Sequence, residues 1–298
     1  MDPSGSNSSA SQQSRSTAGE STQIFAAHVR QYLATLPFVT VATFGASFTV
    51  LMCDGLGVFI QSPRLLSQWM QLDVLSIAYG QMQRLLFYPF ASPSFALYLT
   101  NLFLLLPYLA TQERKHGSAK LAWVLLTFFT VITGTLCFSA ALVLLITLKS
   151  IYMQRFVYAG LSGWTIGLAF WSAWEEDQPA DRMLFGVLHV PGKMMPYLIL
   201  AFYTFLVPDA SLILHLFAIS SAFLYTSKRG PSFLFPSQET IARYQDHPWL
   251  SKARNSQRFI TLDAASDPSH LTLPTNTLNM PTSNTPQFPG EGRRLGDV

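Results

Sequence analysis

Ala159-Gly160-Leu161-Ser162-Gly163-Trp164 opens a hydrophobic segment that runs from about Phe156 to Trp174. A serine between two glycines at the head of an apolar helix is unusual at membrane depth. Two readings stand side by side. In the first, the Gly163/Gly167 pair has the Gly-x-x-x-Gly spacing that lets two helices touch, and the serine hydroxyl bonds back to a carbonyl one turn earlier. In the second, Ser162 is chemically active. The rest of the chain must decide between them.

Composition places the chain in a membrane. Of 298 residues, 49% are hydrophobic and 12% charged, against roughly 25% charged in soluble domains. The net charge of +3 is small and scattered, which gives no footprint for nucleic acid. Cys53 and Cys137 fall inside apolar runs, so they read as buried inert thiols rather than a disulfide framework. Met1–Thr22 is polar and rich in Ser and Gln. It lacks the features of a signal peptide, and the first apolar segment is expected to act as an uncleaved anchor.

The chain divides into three parts: a disordered tail over 1–35, a membrane domain over 36–226 and a second disordered tail over 227–298. Six spans are expected in the middle part: about Pro37–Ile60, Phe95–Ala110, Leu121–Leu148, Phe156–Trp174, Met195–Val207 and Ser211–Tyr225. The last two lie so close, across Pro208-Asp209, that one kinked segment is the alternative. Gln71–Phe90 has apolar residues at helical spacing with Gln and Arg between them and reads as interfacial helices. Arg114, Lys115 and Lys120 lie in one loop, and Lys228 and Arg229 begin the tail. That distribution puts both termini in the cytosol. The sequon at Asn7 would then stay unused.

His215 is the second unusual residue. An ionisable group in an apolar span is a functional-site hypothesis, the alternative being a neutral histidine bonded to a backbone carbonyl. Ser162 and His215 lie near ends of spans four and six that face the same side. Gly163 and Gly167 on one span, and Ala218 and Ala222 on the other, allow the close approach that a serine–histidine hydrogen bond needs. The imidazole would take the hydroxyl proton and Ser162 would attack a carbonyl. The Ser162 N–H and the Asn101 amide would hold the oxyanion. His116 and His189 read as solvated loop residues, and Glu175-Glu176-Asp177 as a helix-end charge run. No metal-ligand spacing occurs, and no cofactor is expected.

Gly160-x-Ser162-Gly163 followed by His215-x-x-Ala218-x-x-x-Ala222 resembles the rhomboid intramembrane serine proteases. Asn101, Glu113 and Gly117 look like that family's second-span positions. Gln81-Met82-x-Arg84-Leu85 and Tyr88-Pro89, with Gly163-Trp164, are most similar to the small fungal rhomboids of the Golgi and endoplasmic reticulum. The resemblance covers roughly Leu36 to Thr226. It implies an all-α polytopic bundle of six transmembrane helices, a serine endopeptidase with Ser162 as nucleophile and His215 as base, and Gly160 packing at the site. It implies single-span membrane proteins as substrates, with membrane-anchored transcription-factor precursors one such class. Three positions depart from the pattern: Leu97 where many rhomboids have a histidine, Ala218 in place of glycine, and Ile166 where many stack an aromatic on the histidine.

Near the C-terminus, Phe288-Pro289-Gly290-Glu291-Gly292-Arg293-Arg294-Leu295 is similar to the SHP box of adaptors for the valosin-containing-protein AAA ATPase. Phe288 and Leu295 would fill apolar pockets while Gly290 and Gly292 let the backbone press onto the partner. The alternative function is a catalytically inactive rhomboid-like adaptor in membrane-protein quality control. A transporter is a poor reading, because the spans hold almost no ionisable residues to line a path.

Overall fold

The computed structural model describes residue 27 and residues 30–57, 65–92, 94–148, 157–176, 182–184, 188–207, 211–229 and 231–266. Six helices occur in the expected order: α1 (Phe38–Gly57), α2 (Phe95–His116), α3 (Ser118–Thr147), α4 (Ser162–Glu175), α5 (Met195–Leu206) and α6 (Leu212–Thr226). Among the described residues, α1, α2 and α3 are long and apolar enough to cross a membrane. The other three have 14, 12 and 15 residues. At 1.5 Å per residue they reach roughly 18–23 Å, short of about 30 Å of hydrocarbon. The six-span expectation therefore rests on three full-length helices and three shorter ones. The segments expected as spans five and six hold two separate helices, Met195–Leu206 and Leu212–Thr226.

The centre of the bundle is α4, which packs against α2, α3, α5 and α6, most extensively against α6. Ser162 to Trp171 are all buried, as expected for a helix with no polar face. Its partner α3 is distorted to receive it. Residues Leu125–Ile132 are π-helical, and the Thr130 and Thr133 hydroxyls donate five residues back, to the carbonyls of Leu125 and Phe128 at 2.9 and 3.0 Å. The widened turn leaves the Phe129 carbonyl to accept the Tyr88 hydroxyl at 3.0 Å. The Trp164 indole N–H of α4 donates to the Thr130 hydroxyl at 3.2 Å.

The head of α1 is capped from another helix. The Val39 and Thr40 N–H groups donate to the Glu113 carboxylate at 2.7 and 2.8 Å, and the Thr40 and Ser118 hydroxyls donate to it as well. A buried carboxylate is stable there because free N–H groups at a helix start need acceptors.

The stretch expected as interfacial helices, Gln71–Phe90, holds short helices at Val74–Ala78 and Arg84–Phe87, and a further short helix, Leu65–Met70, precedes it. Arg84 ties them together, donating to the Gln81 side chain and to the Gln68 and Gln71 carbonyls at 2.7–2.8 Å. Tyr79 and Met82 stand exposed on it.

Several expectations need correction. The bundle is not purely helical. Strand β1 (Leu72–Asp73) pairs antiparallel with β2 (Val157–Tyr158), and β3 (Arg182–Leu184) pairs with β4 (Leu188–Val190). Helix α4 therefore begins at Ser162, not Phe156, since β2 occupies the residues before it. Helix α2 runs past Ala110 to His116, which turns the expected charged loop into its last turns. Residues 30–34 are helical rather than part of a disordered tail.

The second tail is ordered from Pro231 to Ser266 and includes α7 (Gln238–Gln245). Its composition is polar, but aromatic side chains anchor it: the half-buried Phe235 packs on Tyr225 and Phe128, and Tyr244 stacks on Trp123. Further along, Ser118 N–H donates to the Ile260 carbonyl at 2.9 Å, Ile260 N–H to the Ser118 hydroxyl at 3.0 Å, and Phe38 N–H to the Arg258 carbonyl at 3.0 Å. Phe288, Gly290, Gly292 and Leu295, and the Asn7 sequon, lie outside the described residues.

Candidate active site

Ser162 is the first residue of α4. The approach to it is fixed by β2 and by Gly160, whose N–H donates to the Tyr88 carbonyl at 3.0 Å. Gly160 has φ +92°, a conformation in which side-chain residues are strained. A Cβ there would touch Leu97 at 3.4 Å and lie 3.8 Å from the Asn101 amide nitrogen. The glycine thus lets the chain pass beside Asn101 and turn into α4. As the first residue of a helix, Ser162 carries an N–H with no partner inside that helix.

Gly163 sits against α6. A Cβ on it would lie 3.3–3.6 Å from Leu214, the residue before His215. The neighbours of Ser162 and His215 therefore touch. Ala218 and Ala222 are fully buried on α6, where small side chains let helices approach closely. Gly167 does not serve this contact. A Cβ on it would lie 2.4 Å from the Phe129 ring of α3, so its smallness admits the π-helical segment instead.

Ser162 and His215 are 1% and 0% exposed. No hydrogen bond joins them. The Ser162 hydroxyl and both ring nitrogens of His215 are buried without a hydrogen-bond partner among the described residues. Each such group costs about 1–3 kcal/mol, and buried polar groups left in this state call for an explanation, catalysis being one.

Tyr203 of α5 escaped the sequence reading. It is fully buried while Phe202 and Phe205 face outward. Its hydroxyl donates to the Asn101 side-chain oxygen at 2.7 Å and lies 3.4 Å from the Thr165 hydroxyl. Its ring is 5.2 Å from the His215 ring, tilted by 54°. The aromatic neighbour of His215 thus comes from α5 and not from position 166, where Ile166 is buried in the core. A signal was available: a tyrosine inside an apolar helix needs a partner for its hydroxyl.

His116 is not a solvated loop residue. It stacks on Trp171 at 4.9 Å, and its Nε2 lies 2.9 Å from Glu175. His189 lies on β4, paired in register with Met183. Among the described residues no group of His, Cys, Asp and Glu is arranged to hold a metal ion.

A curated relative supports the same family. Rhomboid-like protein 15 of Arabidopsis thaliana is 24% identical over 229 residues, covering 66% of this chain. The chain spans about half of that relative's length, 55%. Residues 79–231, more than half of the chain, match the model of the rhomboid domain, and with three membrane-length helices, two of them within that stretch, this integral membrane protein belongs to the rhomboid family.

Proposed function

We propose that the chain is an intramembrane serine protease. The observation that carries this reading is the pair of buried, unpartnered groups, Ser162 and His215, on two tightly packed helices of a rhomboid domain. In the reaction His215 takes the Ser162 proton as the oxygen attacks a substrate carbonyl carbon. The Asn101 amide and the Ser162 N–H hold the oxyanion. Collapse breaks the peptide bond, and the leaving amine takes the proton from His215. Water, deprotonated by the same imidazole, then hydrolyses the acyl-enzyme. Tyr203 positions this machinery, one end on the Asn101 oxygen and its ring beside His215.

An apolar groove of about 620 Å³ lies between α2 and α5, with Phe103, Pro107, Phe202 and Phe205 among its walls. It supports lateral entry of a single-span membrane substrate whose helix unwinds locally, since only an unwound segment offers its carbonyl. Membrane-anchored transcription-factor precursors are a fitting class. The resemblance of 81–89 and Gly163-Trp164 to fungal rhomboids supports the Golgi or endoplasmic reticulum as the compartment, with both termini cytosolic. The Phe288–Leu295 motif would dock a valosin-containing-protein-type ATPase.

One observation favours a second reading, an inactive adaptor: the buried Leu97 stands beside Gly160, where many rhomboids have a histidine that assists the oxyanion. Cleavage of a transmembrane reporter separates the two. The protease reading expects loss of cleavage in both Ser162→Ala and His215→Ala. If both variants cleave like the parent, Ser162 and His215 do not carry the cleavage and the protease reading falls; if the parent cleaves nothing yet still delivers clients through its tail, the adaptor reading stands.

A further inference from the structure

We propose that the cavity between α3, α4, α6 and α7 binds the phosphate-bearing headgroup of an anionic phospholipid. The cavity measures about 640 Å³. It lies where three helices meet the face that carries the ordered tail: Lys120 near the start of α3, Glu175 at the end of α4, and Thr226 and Lys228 at the end of α6. Its outer wall is the tail itself, from Phe235 to Ile241.

The chemistry of the wall is specific. Lys120 and Lys228 come from distant parts of the chain and line the same cavity. Among the described residues neither forms a salt bridge, and the Lys120 amine meets His116 Nδ1 at 3.2 Å. The carboxylate on the wall, Glu175, is already engaged by Lys115 at 3.2 Å and His116 at 2.9 Å. Lys120 is half-buried and Lys228 exposed on the wall of one cavity, and two ammonium groups so placed repel each other unless an anion joins them. Ser237 and Gln238, the head of α7, complete the polar end.

A free phosphate and a lipid headgroup share this chemistry. The aromatic walls decide for the lipid. Trp123, Trp171, Trp174 and Tyr225 line the cavity beside the lysines, and a free phosphate gains nothing from them. Indole, phenol and lysine together mark the boundary of the hydrocarbon, and basic pockets between membrane helices take anionic headgroups. The bound lipid fastens the tail to the bundle.

The test uses the full chain purified in neutral detergent, with tryptophan fluorescence as the readout, because three indoles line the site. Dioctanoyl phosphatidylinositol 4-phosphate, dioctanoyl phosphatidylcholine and inorganic phosphate are titrated separately. The anionic lipid is expected to saturate the signal and to slow hydrogen exchange over 232–245. Lys120→Gln and Lys228→Gln are each expected to weaken it roughly fivefold, while Lys252→Gln, on an exposed helix elsewhere in the tail, leaves it unchanged. Lys228 is exposed, so its variant folds and keeps the test decisive if Lys120→Gln does not. Equal binding of phosphatidylcholine, inorganic phosphate as tight as the lipid, or unchanged affinity in Lys228→Gln overturns the proposal. Ser162→Ala is expected to bind the lipid normally, so this outcome is separate from the fate of the protease reading.

Discussion

Asn101 has an amide whose two ends differ, and only the nitrogen end can donate to an oxyanion. The Tyr203 hydroxyl holds the oxygen end at 2.7 Å, which turns the donating end away from α5. Tyr203→Phe keeps the ring beside His215 and removes that bond. With the buried Asn101 oxygen left unsatisfied, at a cost of about 1–3 kcal/mol, kcat on a reporter is expected to fall roughly tenfold or more while KM stays within about twofold. Because the effect passes through Asn101, adding Tyr203→Phe to Asn101→Ala should cost little further, and additive losses would show that Tyr203 acts elsewhere. Ser162, His215 and Asn101 stand out in the sequence because each is a polar group in an apolar segment. Tyr203 is as polar as they are, but its part depends on which face of α5 turns inward, and periodicity in a uniformly apolar helix does not record that.

At the scale of elements, the meeting of α3 and α4 sets the position of the candidate nucleophile. Gly167→Ala removes helix-weakening glycine, a gain of about 1 kcal/mol. It also drives a methyl into the buried Phe129 ring, 2.4 Å away, and overpacking of this kind costs about 1–3 kcal/mol. The clash is expected to win, lowering the thermal midpoint in detergent; an unchanged or higher midpoint would mean that the π-helical segment yields freely. Glu113 offers a second case. Glu113→Gln keeps the shape and gives up one of the oxygens that accept from Val39, Thr40 and Ser118. A loss of about 1–3 kcal/mol is expected, read as an earlier unfolding transition and faster hydrogen exchange at the head of α1. The six apolar segments were legible in the sequence. Their lengths were not, because the strand pairing of 157–158 with 72–73 and the capping of the helix ends both depend on distant partners.

For the molecule as a whole, the tail is a strap across the ends of α1, α2 and α3. Gly117, at φ +82°, leaves room for the Ile260 carbonyl, 3.3 Å from where its Cβ would stand. Truncation after residue 255 removes two backbone hydrogen bonds to the bundle, the bond from Ile260 N–H to the Ser118 hydroxyl, and the Phe259 ring that packs on Phe38 at 6.0 Å. At about 1 kcal/mol per bond, and about 2–4 °C per kcal/mol for a chain of this size, the midpoint should drop by about 5–10 °C. Truncation just before Phe288 should leave it unchanged, which separates the strap from the proposed docking motif beyond it. The sequence by itself determined the solvent, the order of the apolar segments and the polar residues set among them, since these follow from local hydropathy and spacing. Only the tertiary structure decided that Tyr203 bridges Asn101 and His215, that Gly167 faces α3, and that a polar tail folds back on the bundle. Each of those depends on contacts between residues far apart in the chain, and the free energy of such contacts is not written in either partner alone.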